Sequence, residues 1–494
     1  MKRNILRILS LVLALLAISA TFFACGQNGG SGEGSNAIVE LQSNDAPVDQ
    51  LDWGGRPFRV LATHNAYQPN FEIIGEIGTD RLSQAVYERN LAIKEFCNVE
   101  IYDVTTTNDG NLSALEKDVM SGTQSYDLVF LIRDEMATAI QQGYMKDINT
   151  VEYVNLENEW YNPLAIETMQ VSGKLYHLSS SFSLTDKART ATLYFNRDMA
   201  ETFKLGIDVI EEVRAGTWTI DKMNQMVAMI AASGDINGDN LIQPYDRFGV
   251  VGGGDECATA FYTGMGNTLV DIKDPEGAYG QDILEDRSLN GMDIIKSLFD
   301  VRARNGFTGT EGTYWKQDYE LPYDTFIDGR ALFYAGTMGI IDSLAKEAEF
   351  AYTAITYPKY DEDQERYYTT NDNYYASTFG IPCTAFDFNF SGYMIEVLSW
   401  KSHTTTYPEY YQVKCLVRNS YDPVCAEMLQ LNCESLVFDF GLMFSKTVKY
   451  KHVIVTYTTS AKNNKNVATL FEENDGLSQL AIQGILDAIE LLTE

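Results

Sequence analysis

Six oxygen donors at fixed spacing carry the sharpest local chemistry in this chain. The segment Asp235-Ile236-Asn237-Gly238-Asp239-Asn240-Leu241-Ile242-Gln243-Pro244-Tyr245-Asp246 has EF-hand-type spacing. Side-chain oxygens fall at loop positions 1, 3, 5, 9 and 12, and the Leu241 carbonyl falls at position 7. Ile242 fills the apolar eighth position. Position 6 demands positive φ, which Asn240 accepts where the pattern has glycine. Asp246 replaces the bidentate Glu and would hold an ion with one oxygen or through water. The spacing predicts one structural Ca²⁺ on Asp235, Asn237, Asp239, Leu241, Gln243 and Asp246. The competing reading is an acidic turn built on Asn and Gly chemistry.

Other catalytic patterns are missing from the sequence. The four histidines, His64, His177, His403 and His452, form no HExxH, and neither GxSxG nor GxxxxGK[ST] occurs. A carboxylate pair for glycoside hydrolysis has 69 acidic residues to draw on, so a hydrolase stays open as an alternative. The formal charge of −32 repels phosphate backbones and argues against nucleic acid as a partner. Aromatic residues make up 12%, with 30 Tyr, which suits a wet recognition surface.

The 494 residues allow two large domains or three of ordinary size. Lys2, Arg3 and Arg7 precede an apolar run from Ile8 to Ala20, the layout of a secretory signal over residues 1–24. Ala24-Cys25 at its end resembles a bacterial lipobox, with Phe22 where that pattern has Leu. The resemblance implies that Cys25 is lipidated, palmitate included, and becomes the mature N-terminus. Residues 25–54 then read as a flexible tether, rich in Gly, Ser and Asn near its start. Cys97, Cys257, Cys383, Cys415, Cys425 and Cys433 form no CxxC pair, so buried free thiols are expected; a Cys415–Cys425 bridge stays open.

Strands and helices alternate through the body. Strands are predicted at Phe58–Ala62, Val99–Val104 and Tyr126–Leu131, with helices at Asp80–Phe96, Leu112–Met120 and Asp134–Gln142. This order implies a parallel sheet that binds ligand at its carboxyl ends. His64, Asn65 and Tyr67 follow the first strand; Arg133, Asp134 and Glu135 follow the third. A second α/β region begins near Ala191, with strands at Thr192–Phe195, Phe248–Val251, Ala331–Ala335 and Phe350–Tyr357 and helices at Thr219–Ala232 and Ile340–Lys346. Asp255 follows a glycine run, as a ligand contact or a helix cap. Thr337 and Met338 are expected at a strand end of the first lobe. Helices dominate from Tyr393 onward; Asp422-Pro423 is a helix start, and Leu477–Leu492 is amphipathic.

Several segments, in order, resemble the extracellular solute-binding proteins of bacterial ABC importers, specifically the carbohydrate-binding lipoproteins of Gram-positive anaerobes. They are Ala85-Val86-Tyr87-Glu88-Arg89-Asn90, Gln142-Gly143-Tyr144, Gly173-Lys174-Leu175-Tyr176 and Leu193-Tyr194-Phe195-Asn196-Arg197. Gly216-Thr217-Trp218-Thr219, the element from Phe326 to Phe333 and Tyr357-Pro358-Lys359-Tyr360-Asp361 complete the series. The resemblance implies an α/β, two-lobed periplasmic-binding-protein-like fold of type II, with a hinge of crossing strands and a helical C-terminal part. The expected lobes are 55–183 with 326–381 and 184–325 with 382–494. It adds Trp160 and Tyr161, Asp186 after the first crossover, and Asn373, Tyr374 and Tyr375 near the third as ligand contacts. The implied protein is a monomeric carbohydrate-binding protein, not an enzyme. It would be lipid-anchored on the extracellular face of the cytoplasmic membrane and serve the permease subunits of an ABC transporter. A surface sugar sensor without a transporter is the further alternative.

Overall fold

The computed structural model describes residues 46–62, 71–104, 110–254, 256–273, 279–309, 317–371, 375–414, 416–417, 420–460 and 463–492. The signal segment, Cys25, His64, Asn65, Tyr67, Asp255, Asn373, Tyr374 and Cys415 lie outside the described residues.

The longer strands, in chain order, are β1 (Arg56–Leu61), β2 (Val99–Asp103), β3 (Leu128–Ile132), β4 (Ala191–Asn196), β5 (Phe248–Gly252), β6 (Gly306–Thr308), β7 (Ala331–Thr337), β8 (Tyr352–Ile355) and β9 (Ser377–Gly380). The first sheet has the order β2-β1-β3-β9. β1 runs parallel to β2 and β3, while β9 is antiparallel to β3 with Ile132 opposite Ser377. Helices α1 (Arg81–Cys97), α2 (Asn111–Ser121) and α3 (Arg133–Gln141) make the connections, as the alternation predicts. Asp80 caps α1 by accepting from the Ser83 N–H at 2.9 Å, and Asn98 ends it at φ 52°. β3 reads Leu-Val-Phe-Leu-Ile because helices cover both faces of the sheet.

The second sheet has the order β6-β5-β7-β4-β8. β5 is parallel to β6 and β7, and β4 is antiparallel to β7 and β8. Phe195 and Phe333, opposite each other across β4 and β7, stack with ring centroids 5.3 Å apart.

Three expectations change here. Residues 331–355 do not return to the first sheet: β7 lies between β5 and β4 and β8 closes the other side of β4. The chain comes back only at β9, so Thr337 and Met338 stand on the second sheet. Residues 388–404, expected in the second lobe, form a helix, α4 (Phe388–Thr404), on the first sheet. Its Phe390, Tyr393, Met394 and Val397 join Phe58 and Phe130 in one core. The first sheet also carries an antiparallel strand, β9, that only long-range pairing creates. Further on come α5 (Pro423–Glu434), capped by Asp422 with Pro423 at its first position, and α6 (Tyr450–Thr459). The last helix, α7 (Val467–Leu491), starts ten residues before the predicted Leu477. Asn466 caps it from the Thr469 N–H at 2.8 Å, and the polar run Glu472–Gly476 hides its first turns from periodicity. Its Ile482, Ile485 and Ile489 are buried against α6 and α3.

Cys97, Cys257, Cys425 and Cys433 are buried and Cys383 is half-buried, and none of these five is in a disulfide. Burial pushes the Cys433 thiol up to about 11 and Cys97 to about 12. Among the described residues no helix is long and apolar enough to cross a membrane.

Candidate functional site

Parallel strands present their carboxyl ends to ligands, and in this molecule the two carboxyl edges are tied together by one crossover. In the first sheet β3 ends at Ile132 and Arg133 begins α3. In the second sheet β7 ends at Thr337, opposite Ala191 at the start of the antiparallel β4. Residues 369–371 and 375–377 make contacts to both. The Ala191 N–H donates to the Thr370 carbonyl at 2.8 Å, and Thr190 bridges Asn371. The Arg133 N–H donates to the Ala376 carbonyl at 3.1 Å, and its guanidinium donates to the Asn371 carbonyl at 2.8 Å. Met338 closes the circuit by donating its N–H to the Thr190 carbonyl at 2.9 Å.

Two guanidiniums, a tyrosine and a threonine gather there. Arg133 is almost wholly buried against Asn371. Arg189, in the crossover before β4, packs its guanidinium 4.9 Å from the centre of the Tyr375 ring. Thr337 and Tyr375 are half-buried. Asp134, at the start of α3, pairs with Lys446 at 3.4 Å. His177 lies below: its Nδ1 is 3.0 Å from the Thr378 hydroxyl, and burial with the neighbouring Arg133 charge pushes its pKa down to about 3. Asp439 is held by the Leu269 and Leu442 N–H groups at 2.6 and 3.0 Å, and burial raises it to about 6.

The comparison with solved structures bears on this arrangement. The sugar-binding protein MalE from the phytopathogen Xanthomonas citri aligns with a TM-score of 0.58 at 11% identity, over 88% of this chain and 99% of that one. The galacto-N-biose-/lacto-N-biose I-binding protein of a Bifidobacterium longum ABC transporter, in complex with lacto-N-biose, gives 0.55 at 13%, over 88% and 99%. A cyclo/maltodextrin-binding protein complexed with maltotetraose gives 0.54 at 14%, over 86% and 97%. The chain has the two-lobed substrate-binding-protein fold. No protein-family model matches it, and no curated protein matches it by sequence. At this identity the likeness is one of architecture.

The side chains of the remaining described sequence candidates, Trp160, Tyr161, Asp186 and Met338, are buried. Trp160 and Tyr161 are buried in the first core, and the Tyr161 hydroxyl donates to Glu396 at 2.8 Å. Trp160 also lines a cavity of about 220 Å³ with Lys187, His403 and Tyr407. Asp186 is fully buried and pairs with Lys187 at 3.2 Å, while Lys187 donates to Ser179 at 2.6 Å. Met338 is fully buried, so its contribution to the edge is its backbone. Asp186 therefore holds the crossover's shape. Glu72 does the same from the first lobe, accepting from the Thr185 N–H at 2.6 Å, and burial raises its pKa to about 7. The sequence reading did not single out Arg189, whose placement depends on Tyr375 arriving from 186 residues away.

The 235–246 loop lies beside β5, far along the chain from these groups. Its turns are those the spacing predicts: Asn240 has φ 61°, and Asp235 accepts from the Gly238 and Asn240 N–H groups, each at 2.8 Å. Most of its acceptors, however, are taken. Arg304 donates through Nη2 to the Leu241 carbonyl at 2.8 Å and through Nε to Asp246 at 2.9 Å, with Asp235 3.7 Å away. Gln243 and Asn237 spend their amides on Asp239, at 2.6 and 2.9 Å. The donor set suits calcium in kind, yet three of the six expected ligands face a guanidinium. Among the described residues no group of three or more His, Cys, Asp or Glu is arranged to hold a metal.

Proposed function

We propose that the protein captures a carbohydrate, an oligosaccharide, between its two lobes and delivers it unaltered to the permease subunits of an ABC transporter. The observation that carries this reading is the meeting of both carboxyl edges at residues 369–371 and 375–377, beside Arg133, Arg189, Tyr375 and Thr337. Guanidinium forks bind neighbouring hydroxyls in pairs, and a tyrosine face covers sugar C–H surface. Structural neighbours that hold lacto-N-biose and maltotetraose support the ligand class. In the sequence His64, Asn65 and Tyr67 follow β1, Asp255 follows β5, and Asn373 and Tyr374 precede β9, and they enter this reading as further ligand contacts. A lipid on Cys25 would hold the body at the extracellular face of the membrane, as a monomer.

One contact favours the hydrolase alternative. Ser181 Oγ lies 2.9 Å from His403 Nδ1, beside the Trp160 cavity. The nearest carboxylate to the other ring nitrogen, Glu159, is 3.7 Å away and largely exposed, too far to orient the ring. Calorimetry against a glycan panel, with chromatography of each mixture afterwards, separates the readings. Binding heat with intact sugar is the expected result. Heat only with peptides or nucleosides overturns the sugar class, and cleavage of the bound sugar overturns the binding role.

A further inference from the structure

We propose that the cavity walled by residues 164–171, 263–273 and 437–443 is a second ligand site, built for an organic ammonium ion that carries an apolar body and an oxygen acceptor. The cavity holds about 420 Å³, within the range of about 300–1,000 Å³ typical of small-molecule sites. The helix Pro163–Met169 supplies one wall, and the segment that follows the helix Glu256–Gly264 supplies another. Met169 and Phe438 share a core with Phe130 of the first sheet, whereas Val270 and Phe440 share one with Val250 of the second. The cavity therefore lies where the two cores meet. None of Arg133, Arg189, Thr337 and Tyr375, the groups of the crossover edge, lines it.

Leu164, Val270, Ile272, Phe438, Phe440 and Met443 make the apolar surface. Asp439 stands between the two phenylalanines in the chain, and the Leu269 and Leu442 N–H groups fix its carboxylate in the wall at 2.6 and 3.0 Å. A carboxylate beside aromatic side chains attracts an ammonium, by its charge and by their ring faces. Burial disfavours the Asp439 charge and raises its pKa to about 6; Arg133 offsets part of that cost, and a bound ammonium would offset more. Asn267 adds the second anchor. It is 8% exposed, it lines the same cavity, and its Nδ2 is buried with no hydrogen-bond partner. A buried donor without an acceptor is costly, so a ligand oxygen that accepts from it is favoured. The Cα atoms of Asn267 and Leu269 lie at most about 7 Å apart, which keeps that donor and the carboxylate within reach of one small molecule. Glu167, Asp271, Glu365 and Asp439 line the cavity against only Lys273 and Arg366. Lys273 spends its charge on Glu167 at 2.9 Å. The balance that remains, in a chain of formal charge −32, favours a cation.

The test is calorimetry on the full chain from Cys25 onward at neutral pH, with three probes of one shape. Phenylalaninol joins an ammonium, a hydroxyl and a phenyl ring; 3-phenylpropanol lacks the charge, and hydrocinnamate reverses it. Phenylalaninol should bind one to one with a Kd of about 0.1–10 mM, 3-phenylpropanol at least about tenfold more weakly, and hydrocinnamate not at all. Asp439→Asn removes the charge and keeps an acceptor for the backbone N–H groups. It should weaken phenylalaninol about tenfold or more and leave 3-phenylpropanol unchanged. Ile272→Trp, at a half-buried wall position, fills the cavity and should abolish both while melting as wild type does. Thr268→Trp, at an exposed wall position, replaces it should it not fold. No phenylalaninol heat well above that concentration range overturns the site. Equal affinity for the uncharged alcohol overturns the cation class, and binding that survives the tryptophan places the probe elsewhere and overturns the proposal too. Should Asp439→Asn not fold, the contrast between phenylalaninol and 3-phenylpropanol on the wild type decides. No glycan takes part, so a failure here leaves the sugar reading untouched.

Discussion

His177 is the residue whose chemistry the fold changes most visibly. Burial and the nearby Arg133 hold its folded pKa near about 3, while an unfolded histidine titrates near 6.5. Between those values the unfolded chain binds the extra proton, so stability contributed above pH 6.5 is lost as pH falls toward 3. The loss approaches about 1.4 kcal/mol per pH unit for one such group. Glu72 works the other way, since its raised pKa favours folding as pH drops from about 7. The difference between wild type and His177→Gln therefore isolates the histidine. Denaturant unfolding from pH 7 to pH 4 should show wild type losing stability faster; parallel curves would mean that His177 is not held neutral. Trp160 poses a different residue-scale question. It is 7% exposed and packs near Tyr161 and His403 at 6.4 Å. Trp160→Ala should cost about 3–5 kcal/mol of stability. Measured with the protein still folded, sugar affinity should change far less; a large affinity loss at unchanged stability would put the indole on the ligand.

At the scale of elements, close backbone approach sets the second sheet. A Cβ on Gly306 would meet the Val250 carbonyl at 2.1 Å and the Leu298 carbonyl at 2.5 Å, both backbone atoms that cannot swing aside. Only glycine lets β6 pair with β5 while the turn from the preceding helix passes beneath it. Gly306→Ala should therefore destabilise by about 1–3 kcal/mol or more, read as a lower denaturation midpoint. An unchanged midpoint would show that the β5–β6 pairing can be given up without cost. The short β6 carries no apolar run long enough to stand out in the sequence, and β9 looks no different from a loop until β3 pairs with it. Both are strands because a neighbour supplies their hydrogen bonds, and a four-residue segment has no period of its own to announce it.

For the whole molecule the decisive feature is that both carboxyl edges reach the same crossover. Ligand touching both lobes favours the state in which they are closer, in proportion to its extra contacts there. Small-angle scattering with saturating sugar should show a smaller radius of gyration than without it. The same radius in both conditions, with binding confirmed by calorimetry, would mean that the lobes do not close on the ligand.

The alternation of strand and helix, the cap at Asp422 and the αL turn at Asn240 were all legible in the sequence, because each depends on residues within a few positions of one another. The lobe to which residues 331–355 belong was not. Their apolar strands carry no local mark of which sheet they join, and the choice is made by β4 and β5, aligned more than 50 residues away along the chain. The crossover edge follows the same rule. Arg133 and Arg189 are ordinary charged residues until Asn371 and Tyr375 meet them, and only the packed molecule brings those pairs together. The calcium spacing shows the converse case. Local sequence determines the loop's turns and its oxygen donors, but those donors meet Arg304, 58 residues beyond Asp246, only because tertiary packing sets it among them.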